Sequence, residues 1–206
     1  SFPTATKWET VKNAPGDKKY VVCNASEGEP GVKKDLFIFK NHAERMVDGM
    51  KIALDYLGAE TGYIYINPSY YNKLARKLNK LIKDTKIILF KKDHRAGYIG
   101  GDESALVNHI EGRRIEPRLR PPYIATNGLW NYPTLVNNVE TFYNVSLVSA
   151  GEYENKRFIT IGGDCPNEGV FYFDENWPIE KILRETNNYP KFKFFVRSAA
   201  MPVAKF

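Results

Sequence analysis

The chain has 206 residues, of which 43% are hydrophobic and 14% aromatic, enough to bury the core of a medium domain with a small second one. Its net charge is +6, but acids are interleaved with the bases and no long basic run occurs, which argues against a nucleic-acid binder. Two distant cysteines, Cys23 and Cys165, are too few for a disulfide framework or a four-thiolate iron–sulfur cluster. We therefore expect no cluster, a reducing cytoplasmic setting and, since no stretch reaches about 18 apolar residues, no membrane insertion.

Strand and helix patterns alternate through the first 92 residues. KKYVVCN (18–24) predicts a buried strand, and LFIFKNHAERMVDGMKIALDYLGA (36–59) has helical apolar spacing with Gly58 as its C-cap. GYIYINP (62–68) predicts a second strand, SYYNKLARKLNKLIKDT (69–85) an amphipathic helix, and KIILFKK (86–92) a third strand. This order predicts an α/β fold, a Rossmann-like and mainly parallel sheet with helices on both faces.

The rest of the chain changes character twice. A glycine-rich turn feeds a helix in residues 94–114, residues 114–135 are proline-rich and irregular, and a further helix follows in residues 136–153. From about Glu154 the patterns are strand, strand, helix and strand within some 50 residues. We therefore predict an α/β domain over residues 1–153 and a small β-grasp domain over residues 154–206, incomplete at its C-terminus.

The stretch VVCNASEGEPG (21–31) places acids and glycines directly after an apolar strand. Ligands of open α/β sheets bind beyond the carboxyl ends of strands, and Gly28 would let the backbone approach one closely. Asn24, Glu27 and Glu29 could hydrogen-bond to such a ligand. An ordinary polar turn explains the same residues.

Two later segments can likewise be interpreted either as part of a ligand site or as ordinary local structure. GYIGGDESAL (97–106) places Asp102 and Glu103 at a helix start, where they could serve a ligand or where Asp102 or Ser104 could cap the helix. WNYPTLVNNVET (130–141) carries Asn137 and Asn138, which could contact the edge of a heterocycle or form a capped turn.

Together, CNASEGEPG, YIGGDESALVNHIEGRRIEPRLRPPYIATNGLW and PTLVNNVET resemble the flavin- and NADH-binding subunit of respiratory complex I. Equivalent subunits of NAD-linked hydrogenases and formate dehydrogenases share this pattern, which covers nearly the whole chain and is specific through its spacing. The resemblance implies hydride transfer from NADH to FMN, partner subunits of a redox complex and a location peripheral to the membrane. It also implies that the tail from Glu154 is a soluble-ligand-binding β-grasp domain.

The resemblance also implies roles for individual positions. FMN would be lined by Lys7, Asn24, Ser26, Glu27, Gly28, Tyr98, Gly101, Asp102, Val136, Asn137, Asn138 and Thr141. Phe2 and Tyr123 would stack on the adenine of NADH, whose polar parts would be bound by Glu29, Glu103 and Arg120. Glu103 would accept hydrogen bonds from the ribose hydroxyls and repel a 2′-phosphate, favouring NADH over NADPH.

The chain departs from that family at several points. The family's glycine-rich flavin loop would precede residue 2, Ser26 replaces a usual aspartate, and Thr10 replaces a usual aromatic residue. We expect the family's C-terminal cysteine-rich domain to be absent, and the ending RSAAMPVAKF (197–206) is what a one-base frameshift could produce. We therefore expect weak or absent FMN binding, impaired activity and a poorly packed end, and we keep open a non-catalytic ligand-binding or assembly module.

Overall fold

A computed structural model describes residues 3–192, 194–196 and 204–205 of the chain. Two compact units are present, one formed by Ser1–Gly28 and Asp35–Tyr153 and the other by Glu29–Lys34 and Glu154–Phe206. Phe2 and most of the ending RSAAMPVAKF lie outside the described residues, so the expectations for them stay predictions. Among the described helices, none is long and apolar enough to cross a membrane.

A parallel sheet in the order β3-β2-β1-β4 forms the centre of the first unit. Its strands are β1 (Tyr20–Ala25), β2 (Thr61–Ile66), β3 (Ile87–Lys91) and β4 (Thr134–Asn138). The predicted α/β fold with a mainly parallel sheet is therefore confirmed. Strand β4 was not predicted, because its apolar run is only Leu135 and Val136 and the strand directly follows Pro133 in a proline-rich segment.

Helices cover both faces of this sheet, as predicted. They are α1 (Thr4–Asn13), α2 (Lys34–Asn41), α3 (Ala43–Leu57), α4 (Pro68–Ile82), α5 (Glu103–Ile110) and α6 (Val139–Ala150). Cys23 of β1 faces α3, with its sulfur 4.0 Å from that of Met46. The neighbouring Val22 points to the opposite face, into a buried cluster that contains Leu106 and Val107 of α5. This alternation follows from the two-residue period of a strand.

The long helix predicted over residues 36–57 is two helices, which corrects the prediction. His42 has φ −135° and ψ 25°, outside the helical region, so α2 ends before it and α3 begins after it. The His42 ring lies between those of Phe37 and Tyr143, 6.1 and 5.2 Å away, and this packing accompanies the break. The predicted C-cap is confirmed, since Gly58 adopts the left-handed φ of 61° that ends α3.

A very close helix contact in the first unit joins α3 and α6. At Gly49 of α3, an added Cβ would lie 1.8 Å from the carbonyl oxygen of Phe142 in α6. Only glycine permits the two backbones to approach so closely.

The second unit contains β5 (Lys156–Ile161), β6 (Gly169–Asp174), α7 (Ile179–Glu185), β7 (Phe195–Val196) and β8 (Ala204–Lys205). Strands β5 and β6 form an antiparallel pair, and β7 pairs antiparallel with β8. The first four of these elements follow the predicted order of strand, strand, helix and strand, and β8 was not predicted. Its assignment as a β-grasp domain stays a prediction.

Candidate functional site

The order of the strands defines where a ligand is expected. The chain runs outward from β1 to β2 and β3, then returns to place β4 on the other side of β1. The carboxyl ends of β1 and β4 therefore flank a topological switch point, which in open α/β sheets is the ligand crevice. Asn24 and Asn138, both predicted site residues, are register partners at this edge.

Asn24 connects the end of β1 to the glycine-rich turn before α5. Its amide nitrogen donates to the carbonyl of Gly101 over 2.9 Å, and its side-chain oxygen accepts from the hydroxyl of Ser26 over 2.8 Å. A Cβ at Gly101 would lie 2.8 Å from that hydroxyl oxygen, so any larger residue here would force the Ser26 side chain to shift. Asn24 therefore connects the turn after β1, which contains the buried Ser26, to the glycine-rich turn before α5.

Asp102 caps α5. Its carboxylate accepts from the backbone N–H groups of Ser104 and Ala105 over 2.8 and 3.2 Å and forms an ion pair with Arg120 at 3.2 Å. Burial alone would raise the pKa of Asp102, but the hydrogen bonds from Ser104 and Ala105 and the charge of Arg120 outweigh it and lower the pKa. The capping interpretation of Asp102 is therefore realised, and the group is held as a carboxylate beside Glu103.

Lys7 reaches the same edge from α1, a helix that the sequence did not predict. Its ammonium group donates to the carbonyl oxygen of Val136 over 2.9 Å and lies 2.5 Å from a carboxylate oxygen of Glu103. The next residue, Trp8, donates its indole N–H to the side-chain oxygen of Asn137 over 3.0 Å. Helix α1 therefore positions one charge and orients one amide at the carboxyl end of β4.

Asn138 links β4, α6 and β1 through its side chain. Its side-chain oxygen accepts from the N–H of Glu140 over 3.0 Å and so caps α6, the helix that also carries Thr141. Its amide nitrogen donates to the carbonyl of Asn24 over 3.2 Å and to the buried carboxylate of Asp35 over 3.1 Å. The predicted capped turn is thus present, and it is tied to β1 through the same side chain.

Glu27 is anchored by protein groups on both carboxylate oxygens. The hydroxyl of Tyr70 donates to one over 2.7 Å, and the backbone N–H of Asp35 donates to the other over 3.1 Å. Burial, followed by the hydrogen bond to Glu27, raises the pKa of Tyr70, which keeps its hydroxyl protonated as a donor. Glu27 is therefore fixed in place next to Gly28.

Two of the predicted site residues carry large aromatic side chains that are exposed. Tyr98 is 65% exposed and Tyr123 is 61% exposed, which is unusual for side chains large enough to fill a core. A Cβ at Gly28 would lie 3.4 Å from the ring of Tyr98, so this ring lies close to the turn that follows β1. Exposed aromatic rings next to a polar crevice are typical of sites that stack on a ligand. Glu29 belongs to the second unit.

Among the described residues, the structure brings eleven of the predicted site residues into hydrogen bonds or ion pairs at one edge: Lys7, Asn24, Ser26, Glu27, Gly101, Asp102, Glu103, Arg120, Val136, Asn137 and Asn138. Sequence reasoning missed Trp8, Asp35 and Tyr70 as their supports. The side chains of these three contact residues that lie 43 to 129 positions away along the chain, so no local pattern indicates these contacts. Within the described residues, no cluster of His, Cys, Asp and Glu side chains suits a metal ion.

Residues 1–147 match the family model described as the Nuo51 FMN-binding domain. An NADH-quinone oxidoreductase chain of Rhizobium meliloti is 37% identical over 68% of this chain and 37% of that protein. The alpha chain of the NAD-reducing hydrogenase HoxS of Cupriavidus necator is 32% identical over 88% of this chain and 35% of that protein. The chain thus spans less than two fifths of the length of either relative.

A solved structure is also similar in three dimensions. The chain superposes on a crystal structure of an NAD+-reducing NiFe-hydrogenase in the H2-reduced state with a TM-score of 0.81 and 27% identity. The match covers 90% of this chain and 35% of the hydrogenase chain. The similarity therefore extends over the fold described above.

Proposed function

This chain belongs to the Nuo51 FMN-binding domain family, and on that premise we propose that its first unit binds FMN at the carboxyl edge of β1 and β4. We further propose that NADH binds against the flavin and is oxidised there. The bound flavin would supply the hydride-accepting ring, and the protein would position both cofactors and shield them from water.

The observation that carries this proposal is the polar network at the topological switch point. Residues from three sequence-distant motifs meet there, at Asn24, Gly101 and Asn138, and are hydrogen-bonded to one another. A network that is already satisfied internally holds its geometry before a ligand arrives, which reduces the ordering cost of binding.

The donor set at this edge fits a flavin. The ring system of FMN presents carbonyl oxygens and ring nitrogens that accept hydrogen bonds. Trp8 occupies the oxygen of Asn137, so the amide NH2 is the end of that side chain that can donate to a ligand. Lys7 adds a positive charge, and Gly28 and Gly101 allow close approach of the backbone.

The residues proposed for NADH come from the resemblance, and contacts of Glu103 and Arg120 support their assignment. Glu103 lies at the first turn of α5 with its carboxylate held by Lys7, and Arg120 lies beside Asp102. Tyr123 offers an exposed ring for stacking. Glu29, in the second unit, stays a candidate from the resemblance alone.

We also propose that the chain acts with other subunits. The relatives are named as subunits of an NADH-quinone oxidoreductase and of an NAD-reducing hydrogenase. By this analogy the chain would pass electrons to a partner protein, in an assembly that would be peripheral to the membrane in the cytoplasm.

Flavin titration tests the proposal directly. FMN fluorescence should be quenched as the protein is added, and Lys7→Met should weaken the affinity about tenfold or more because a charge-assisted contact is lost. Lys12→Met is the matched control, since it removes the same charge from the same helix and should leave the affinity unchanged. The FMN affinity of the wild type also tests the expectation, made from the sequence, that FMN binding is weak or absent.

Addition of NADH separates the two candidate classes. Bleaching of the visible flavin absorbance under anaerobic conditions would establish hydride transfer. A protein that binds FMN without bleaching, or that binds neither cofactor, would instead support the non-catalytic module.

A further inference from the structure

A second cleft lies at the carboxyl ends of β2 and β3, away from the switch point between β1 and β4. Its volume is about 480 Å³, and its lining residues are Pro68, Asn72, Lys91, Lys92, Asp93, His94 and His109. An adjoining recess of about 530 Å³ shares several of these residues and extends to Gly28 and Tyr98. None of the roles proposed above uses the residues at the β3 end of this cleft.

Lys92 is the unusual member of this lining. It directly follows β3 and is only 5% exposed, which is rare for a lysine. Its ammonium group donates one hydrogen bond, 2.7 Å long, to the carbonyl of Gly97, and within the described part of the chain it forms no ion pair. Burial lowers the pKa of Lys92, because a charge with no counter-ion is costly away from water.

Neighbouring groups add hydrogen-bond donors to the cleft. Lys91 donates to the side-chain oxygen of Asn72 over 3.1 Å, so the amide NH2 of Asn72 is the end left to donate. The Tyr65 hydroxyl lies 2.8 Å from Nδ1 of His109. With Tyr65 as the donor, a neutral His109 carries its proton on Nε2 and is a further donor.

Negative charge in the cleft is already neutralised. Asp93 is the carboxylate in the lining, and Arg95 pairs with it at 2.9 Å. The start of α4 contributes little, because Asn67 caps it by accepting from the N–H of Ser69 over 2.9 Å. The positive charge available to a ligand is therefore that of Lys91 and the buried Lys92.

We propose that this cleft binds a small oxyanion, a phosphate or carboxylate group, with Lys92 as its counter-ion. A bound anion would satisfy the remaining donors of the ammonium group and would offset the cost of burying its charge. The cleft has room for such a group together with part of the molecule that carries it.

The test is a titration of the FMN-free protein with inorganic phosphate, followed by NMR of the histidine rings. The chain has three histidines, so each ring signal can be followed. We expect His109 and His94 to shift with saturation while His42, which packs between α2 and α6, stays unchanged. Titrations with acetate and with NADH distinguish a carboxylate or a nucleotide phosphate from free phosphate as the source of the anion.

Lys92→Met keeps the aliphatic stem and removes the charge. We expect it to weaken phosphate binding about tenfold or more, whereas the exposed Lys83→Met, with the same loss of charge, should leave binding unchanged. FMN affinity should be the same in Lys92→Met as in the wild type, which keeps this proposal separate from the flavin site.

Two results would overturn the proposal. The first is the absence of any shift of His109 with phosphate or acetate in the wild type, a measurement that does not depend on the folding of a variant. The second is equal phosphate affinity in a folded Lys92→Met protein and the wild type.

Discussion

Glu103 offers the sharpest test of how the first unit would choose between nicotinamide nucleotides. Its carboxylate is 37% exposed and lies 2.5 Å from the ammonium group of Lys7, which is 20% exposed. If the adenosine ribose of NADH lies against Glu103, the carboxylate accepts from two neutral hydroxyls. In NADPH one of them carries a phosphate of about two negative charges, which the carboxylate repels.

The size of this repulsion follows from the distance and the solvent. At about 5 Å in water, one charge against two costs roughly 1.7 kcal/mol, and physiological salt reduces this to about 1 kcal/mol. Glu103→Gln removes the repulsion and also leaves Lys7 free to attract the phosphate by a similar amount. The ratio of NADPH to NADH affinity should therefore rise between about fivefold and thirtyfold.

The assay is calorimetric or fluorescence titration of both nucleotides with FMN supplied, in the wild type and in Glu103→Gln. Glu44→Gln, which neutralises an exposed acid on α3, is the control and should leave the ratio unchanged. An unchanged ratio in Glu103→Gln would refute the placement of the ribose. Absence of binding of either nucleotide at millimolar concentration would favour the non-catalytic module.

Three further predictions concern stability. Gly49→Ala should destabilise the protein by about 3 kcal/mol or more in urea unfolding, because its Cβ would lie 1.8 Å from the backbone of Phe142. This clash outweighs the roughly 1 kcal/mol that alanine gains in helix propensity. A variant as stable as the wild type would show that α3 and α6 are less closely packed. Asn138→Ala should cost about 2 kcal/mol in the same assay through the lost α6 cap and the lost hydrogen bonds, so a loss below about 0.5 kcal/mol would contradict its linking role. Because the folded pKa of Asp102 is lowered, its contribution is present above the unfolded pKa of about 3.9 and is lost as pH falls through the folded pKa. Acid unfolding of Asp102→Asn should therefore show a shallower loss of stability below about pH 4, and an identical pH profile would refute the assignment.

The strands β1 to β3 and the helices α3 and α4 could be predicted because each has a local signal. Leu74, Leu78 and Ile82 recur on one side of α4, and all three are buried in the structure. Gly58 could be predicted as a C-cap because few other residues adopt its φ readily. These features depend on residues within a few positions of one another.

The missed elements depend on distant contacts. Helix α1 has a weakly apolar composition with Val11 as its buried residue, so its sequence carries little periodic signal. Strand β4 is recognisable only through its pairing with β1, 114 positions earlier at Tyr20 and Thr134. The candidate site could be located by motifs at its two asparagines, but its supports at Trp8 and Asp35 could not, because tertiary packing selects them.

The same pairing between β1 and β4 affects the order in which the protein folds. β1 meets β2 across 41 positions but meets β4 across 114, and closing the longer loop costs roughly 1 kcal/mol more. The β1 side of the sheet would therefore close late, both in refolding and during synthesis on the ribosome. Until residue 138 has emerged, β1 exposes an unpaired apolar edge that other chains can join. We expect nascent chains stalled between β3 and β4 to be the form most prone to aggregate and most dependent on chaperones.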